Sequence, residues 1–429
     1  MTITFYSTWN EPCGIAGYTA DLKRALDTRT QLRTEVIRLP KAEIQFATET
    51  RIREILKALA EQASAVAHIQ HEFSFFGQTY ASSCVNFSFF LKNLKSKKIV
   101  ITFHSLPIKN DSTVEKIRLA VRRRFGALFN KTKEQRAWNL VVRTINSLKV
   151  ICIVHDDRSA LQLVNSGISE SLIKVVPLGV NEMLTPSLSR EEAKSLLGYK
   201  PDDVLVGLFG FVAAYKGPDI ACDAIAALPP NFKLAIVGGR HPENQSDGAM
   251  SLIASKIFGN FGRENARKRR QSAALGIDAT KSESIASGKV RLTGYLPRAD
   301  IDIYRTACDI FVAPYREVNL SSSAAITWAL SSRRPLIASG VDAFLDIARK
   351  YNCMMVIGQE QPSELAWAIL KLNSDKALQE DLLREAERYC TDRSWNSVAA
   401  RYAELYGQTT SRTTGKSAPS GLFISGTAS

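Results

Sequence analysis

The strongest constraint on this chain is a recurring series of short apolar runs without polar alternation. They are ITFYSTW (3–9), SAVAHIQ (64–70), KIVITFH (98–104), KVICIVH (149–155), VLVGLFG (204–210), FKLAIVGG (232–239), VRLTGYL (290–296), DIFVAP (309–314) and PLIAS (335–339). A strand with one wet face alternates, whereas a strand covered by helices on both faces is apolar throughout. These runs therefore predict parallel strands in buried sheets. Amphipathic stretches such as 18–26, 50–61 and 219–228 separate them. Strand and helix in repeated alternation predict open, doubly wound α/β sheets.

A chain of 429 residues is long for one such core, since domains hold on the order of 100 to 200 residues. The rhythm breaks in the polar stretch NEMLTPSLSREE (181–192), which divides the chain into a domain at 1–185 and a second at 186–393. Residues 240–289 are long and polar and include RENARKRRQ (263–271), which reads as an insertion after a strand. A last helix is expected over 394–407. The Ser/Thr/Gly-rich residues 408–429 carry too little apolar material to fold and are expected to form a disordered tail.

Composition excludes several classes of function. Seven cysteines stand far apart, without a CxxC pair, and five histidines show no zinc-ligand spacing with them. Reduced, packed thiols and no bound metal are expected. No apolar run reaches the roughly 18 to 20 residues of a membrane span, and the first residues, MTITFYSTWNEP, lack a basic start and a cleavable apolar stretch. A cytosolic location is expected. The formal charge of +14 is concentrated between residues 109 and 149, where eleven Lys/Arg face three acids for a local net of +8. With Ile117, Leu119, Val121 and Phe125 running through it, this stretch fits a helix lying on an anionic leaflet, peripheral on the inner face of the plasma membrane, or an ordinary solvated face. It brings no nucleic-acid module or aromatic platform, so nucleic acid is not an expected partner.

In open α/β sheets, ligands bind beyond the carboxyl ends of the strands, where helix amino termini also point. Those ends carry Cys13-Gly14, His71-Glu72, His104, His155-Asp156, Gly210, Gly238-Gly239-Arg240, Gly294 and 314–317. Two successive sheets with such edges suggest two domains facing across a cleft. His71 and Glu72 are candidates to position an acceptor hydroxyl, with plain strand capping as the alternative. Asp156-Asp157 reads as a helix cap.

EPCGIAGYTADL (11–22), HIQHEF (68–73), ITFHSLP (101–107), KVVPLGVN (174–181), FGFVAAYKG (209–217), VRLTGYLPRADIDIYRTACDIFVAPYRE (290–317) and RPLIAS (334–339) stand in the order of the landmarks of family 4 glycosyltransferases. The chain resembles that family from residue 3 to about 407. The resemblance implies a GT-B fold of two Rossmann-like domains, with a nucleotide-sugar donor held mainly by the second domain. It also implies a glycan, lipid-linked or small-molecule acceptor held by the first, retention at the anomeric carbon, and a last helix returning to the first domain. The nucleotide-sugar would be a co-substrate, with no cofactor and no metal.

Carried over position by position, Lys216 in AYKG matches the lysine that holds the donor diphosphate, as a compact ammonium beside a glycine turn would. Gly14 lets backbone approach the diphosphate. Gly294, Tyr295 and Leu296 lie where backbone groups meet the base. Glu317 matches the first glutamate of the family pair, against the donor sugar, where a carboxylate favours developing positive charge. His104 matches the histidine near the reacting centre. Ser321, Ser322 and Ser323 open a helix that either receives phosphate oxygens or is simply capped by them. Two departures stand out. An arginine usual before the lysine is replaced within Phe211, Val212, Ala213 and Ala214, with Arg240 a candidate substitute. The second glutamate is replaced by Ala325, or by Trp328 when the alignment is anchored on RPLIAS. These losses sustain an alternative, a catalytically degenerate GT-B protein that binds a glycan or a partner. An epimerase of the same fold fits the landmarks less well.

Overall fold

The computed structural model describes residues 1–11, 13–62, 64–106, 133–180, 188–239, 285–316 and 323–407. The expected tail, most of the insertion (240–284) and the greater part of the basic stretch (107–132) lie outside these residues, as do Arg240, Glu317, Ser321 and Ser322.

Six strands form the first sheet: β1 (Thr2–Ser7), β2 (Arg33–Arg38), β3 (Val66–His71), β4 (Lys98–Phe103), β5 (Ile151–Val154) and β6 (Ile173–Val175). All pair in parallel, in the order β2-β1-β3-β4-β5-β6. The second sheet holds β7 (Val204–Phe209), β8 (Phe232–Val237), β9 (Ile285–Ser287), β10 (Val290–Leu292), β11 (Ile310–Ala313), β12 (Leu336–Ser339) and β13 (Met355–Ile357). Its order is β13-β12-β11-β7-β8-β10-β9, parallel except where β9 runs against β10. The doubly wound α/β architecture follows from the apolar runs: β3 is buried at every residue and β1 at five of six. The strands without such a run are β2, β6, β9 and β13, each at or near a sheet edge. Along β2 the exposed residues alternate with less exposed ones, since an edge strand needs only one buried face.

Local sequence sets the helix starts. Thr79 and Ser82 form a capping box ahead of Tyr80–Asn93, and Ser189 and Glu192 form another ahead of Arg190–Leu196. Asp156 accepts from the Ser159 amide at 2.7 Å and so caps Asp157–Asn165. The helix Arg190–Leu196 lies just past the polar break. It is tied to the second sheet by Arg190 and Lys194, which reach Asp309 at 3.0 and 2.7 Å.

The final helix, Trp395–Tyr406, crosses back to the first sheet. Its buried face, Val398, Ala399, Tyr402, Ala403 and Tyr406, packs with Ile3, Phe5, Tyr18, Leu22, Val100 and Ile153. Burying the three larger side chains contributes on the order of 5 kcal/mol. Where the chain re-enters the first domain it pairs with its own outgoing segment. Val180 and Ser394 form a parallel bridge, and the Val180 amide donates to the Arg393 carbonyl at 2.9 Å. Arg158 on the first domain reaches Asp342 and Asp346 on the second at 3.6 and 3.8 Å.

Candidate active site

Both sheets reverse direction of winding beside their first strand, between β1 and β3 in one and between β7 and β11 in the other. Loops leaving such neighbours diverge to opposite faces and open a crevice. The two crevices meet in one cavity of about 470 Å³, lined by Gly14, Tyr18, Asp21 and His104 from the first domain. From the second come Gly210, Phe211, Lys216, Tyr295, Leu296, Arg298, Ser323 and Trp328.

Lys216 ends a tight turn (Ala214–Lys216) after β7 and is only 7% exposed. Its ammonium lies over Gly210, where an added Cβ would stand 2.4 Å from Nζ. Gly217 follows in left-handed conformation (φ +64°), with Pro314 O so close that a Cβ would fall 2.0 Å from it. Two glycines thus let the lysine fold back into the cavity between the Tyr215 and Tyr315 rings, 5.9 and 6.0 Å from their centroids. No described carboxylate pairs with it, and burial pulls its pKa from 10.5 down to about 8. An uncompensated cation at a buried cavity wall calls for an anion.

Arg316, which the sequence placed at a strand end without a role of its own, fastens this turn to the loop after β11. It grips Asp219 with two bonds of 2.8 and 3.0 Å, donates to the Ala214 carbonyl at 2.7 Å and meets Glu360 at 2.7 Å. The segment that continues to Glu317 is anchored here. Ser323 is the first residue of the helix cap at Ala324–Ser331. Its hydroxyl makes no bond into its own helix and stands 3.3 Å from the Tyr315 hydroxyl.

Both replacements of the family's second glutamate line the cavity: Ala325, and Trp328 with the Arg298 guanidinium 5.2 Å from its ring centroid. Arg298 adds a second cation to this wall, a role that sequence reasoning gave only to Arg240. Phe211, where an arginine was expected nearby, faces Tyr295 nearly parallel at 6.4 Å, and Tyr295 is 56% exposed. Gly294, one residue before, bridges to Gly238.

On the first-domain wall Gly14 opens the helix Gly14–Arg29, and Asp21, two turns further, pairs with Arg24 at 3.1 Å. His104 follows β4 with its Nε2 2.7 Å from Gln70 Oε1, and the Tyr18 ring stands edge-on to it at 5.1 Å. Burial, with His155, His68 and His71 nearby, holds His104 well below the usual imidazole range, so it is neutral at pH 7.

His71 does not reach the cavity. It is 1% exposed and lies among the rings of Phe73, Phe76, Phe87 and Phe103 at 4.4 to 5.7 Å, where burial lowers its pKa to about 3. Alternation along β3 is the reason: His68 and Gln70 face the terminal helix and His104, whereas His71 faces the opposite core. Glu72 is half-buried, its carboxyl raised by that burial, and does not line the cavity. His71 thus holds a core position, and neither residue of the pair lines this cavity. Among the described residues no cluster of three or more His, Cys, Asp or Glu could hold a metal, and no helix is long and apolar enough to cross a membrane.

Two doubly wound domains that close one cleft, with a terminal helix returning to the first, define a GT-B protein. Solved structures share that fold. One is HepE of Anabaena in complex with UDP, with a TM-score of 0.65 at 16% identity over 95% of this chain and 99% of that one. Another is sucrose-phosphate synthase of Thermosynechococcus elongatus, with a TM-score of 0.62 at 17% identity over 94% and 98%. Residues 203–375 match the family of glycosyl transferases, group 1. That match lies within the second domain and agrees with the family 4 landmarks. Similar curated proteins include the D-inositol 3-phosphate glycosyltransferase of Streptomyces bingchenggensis (strain BCW-1), 24% identical over 60% of this chain and 52% of the relative. That of Mycobacterium ulcerans (strain Agy99) is 31% identical over 23% and 22%. The chain thus spans about half or less of the length of these relatives.

Proposed function

We propose that the chain is a retaining glycosyltransferase. It moves a sugar from a nucleoside diphosphate donor to a glycan, lipid-linked or small-molecule acceptor, in the synthesis of bacterial cell-surface polysaccharide or glycoconjugate. The observation that carries this reading is the buried, unneutralised Lys216 on the second-domain wall of a cavity whose other wall holds Gly14 and His104. Lys216 and Arg298 receive the diphosphate, and Tyr295 and Leu296 flank the base. Neutral His104 hydrogen-bonds a sugar hydroxyl. Glu317 supports developing charge at the anomeric carbon while the acceptor attacks on the face the diphosphate leaves. The diphosphate charge is met by these cations, so the reaction needs no divalent metal. The UDP-bound fold neighbours make uridine donors the first to test.

A second reading, a GT-B protein that binds without turnover, draws on Phe211 and Trp328 at the cavity wall. Incubating the full chain with UDP-, GDP-, ADP- and dTDP-sugars in chelator, and following free nucleoside diphosphate, separates the two. Slow release from one donor is expected, reduced roughly 10²-fold or more in Glu317→Gln with nucleotide affinity kept, and with that affinity lost in Lys216→Ala. Binding without release in every case would favour the binding module. Activity that manganese alone restores would contradict the metal-free reaction.

A further inference from the structure

We propose that Gln70 is a positioning residue, which fixes the tautomer and ring plane of His104 and couples both to the carboxyl-terminal helix. The proposal rests on the transferase reading for its catalytic consequence and on geometry alone for the coupling. Gln70 is fully buried on β3 and reaches the cavity only through His104. Its amide oxygen lies 2.7 Å from His104 Nε2 and its amide nitrogen 3.5 Å from His68 Nε2. A carboxamide oxygen only accepts, so in this arrangement the single proton of neutral His104 sits on Nε2. Turning the amide over would reverse the pattern and point its oxygen at His68 Nε2.

His68 Nε2 already meets the Thr102 hydroxyl at 2.8 Å, while its Nδ1 lies 2.5 Å from the Tyr406 hydroxyl. The Thr102 hydroxyl is 3.2 Å from that of Tyr402, which is 2.7 Å from that of Tyr18. Tyr18 then closes the circuit with its ring edge against His104. Two tyrosines of the terminal helix are thereby wired through buried polar groups to a cavity histidine. A buried network with its members satisfied holds one geometry, because each alternative strands a polar group away from water. The terminal helix thus sets the chemistry of the cleft besides covering the first sheet.

Imidazole ¹⁵N NMR of the full chain tests this, with kinetics beside it. His104 is expected to be protonated at Nε2 in the wild type. Gln70→Leu is expected to mix its tautomers and lower kcat roughly tenfold at unchanged KM for the donor, the worth of one lost hydrogen bond. Tyr406→Phe, which leaves Gln70 in place, is expected to move the ring signals of both His68 and His104. A wild-type His104 protonated at Nδ1 would overturn the proposal. So would unmoved His104 signals in folded Gln70→Leu or, should that variant not fold, in Tyr406→Phe. A wild type that shows these signals but neither binds nor turns over any donor would refute the transferase reading and leave the coupling standing.

Discussion

Lys216 is an ammonium held in a place that favours the neutral amine. An unfolded lysine keeps its proton to about pH 10.4, whereas this one loses it near 8. Between those values the unfolded state binds the additional proton, so stability rises with pH through that window. Below it both states are charged and the folded state bears the whole desolvation cost, on the order of 3 kcal/mol. Lys216→Met keeps the length without the charge. It is expected to raise Tm at pH 7 by a few degrees, to flatten the pH dependence above 8, and to weaken nucleoside diphosphate binding at least roughly tenfold. Melting curves at pH 7 and 9.5 with titration calorimetry check this; a lower Tm at pH 7 with binding intact would contradict it. His104, Tyr295 and Leu296 were legible in the sequence because they close apolar runs, whereas Gly14, Lys216 and Ser323 lie in the loops beyond such runs and were placed by the family landmarks. Arg298 was not, since it sits on a helix whose facing depends on tertiary packing. His71 was read as a cleft residue because a strand end names a location, while strand alternation decides which face a side chain takes.

At the scale of elements, the nine apolar runs correspond to nine strands, and the four strands without one lie toward the margins, where short length and a wet face erase the signal. The terminal helix illustrates a different limit. Its sequence, SWNSVAARYAELYG, shows an apolar face but not the partner of that face. The partner is the first sheet and the helix Gly14–Arg29, reached from nearly 400 residues away in the chain and joined through the Tyr18 and Tyr402 hydroxyls. Ending the chain at residue 393 removes this cover and roughly 5 kcal/mol of apolar burial. Since domains typically hold about 5 to 15 kcal/mol in total, the first domain is expected to lose its cooperative melting while the second keeps its own. Differential scanning calorimetry of full and shortened chains would show one transition lost; two unchanged transitions would contradict the account.

Over the whole molecule the charge of +14 is unevenly spread, with +8 between residues 109 and 149 in the first domain. If that stretch meets an anionic leaflet, vesicle binding is expected to collapse between about 0.1 and 1 M salt, as the screening length falls from about 10 to 3 Å. Co-sedimentation with anionic and neutral vesicles measures it, and equal pelleting with both would sink the idea. The pairing of Val180 with Ser394 carries a consequence for how such a molecule is made. The chain leaves the first domain and re-enters it at one point, so the second domain is topologically a long insert within the first. During translation the first sheet must wait, with Ile3, Phe5 and Leu22 uncovered, until residues 395–406 have left the ribosome. At ordinary elongation rates that interval is roughly 10 to 45 s. The second domain, later in sequence, can therefore finish folding before the first, and the nascent amino-terminal half is the part that keeps apolar surface uncovered longest.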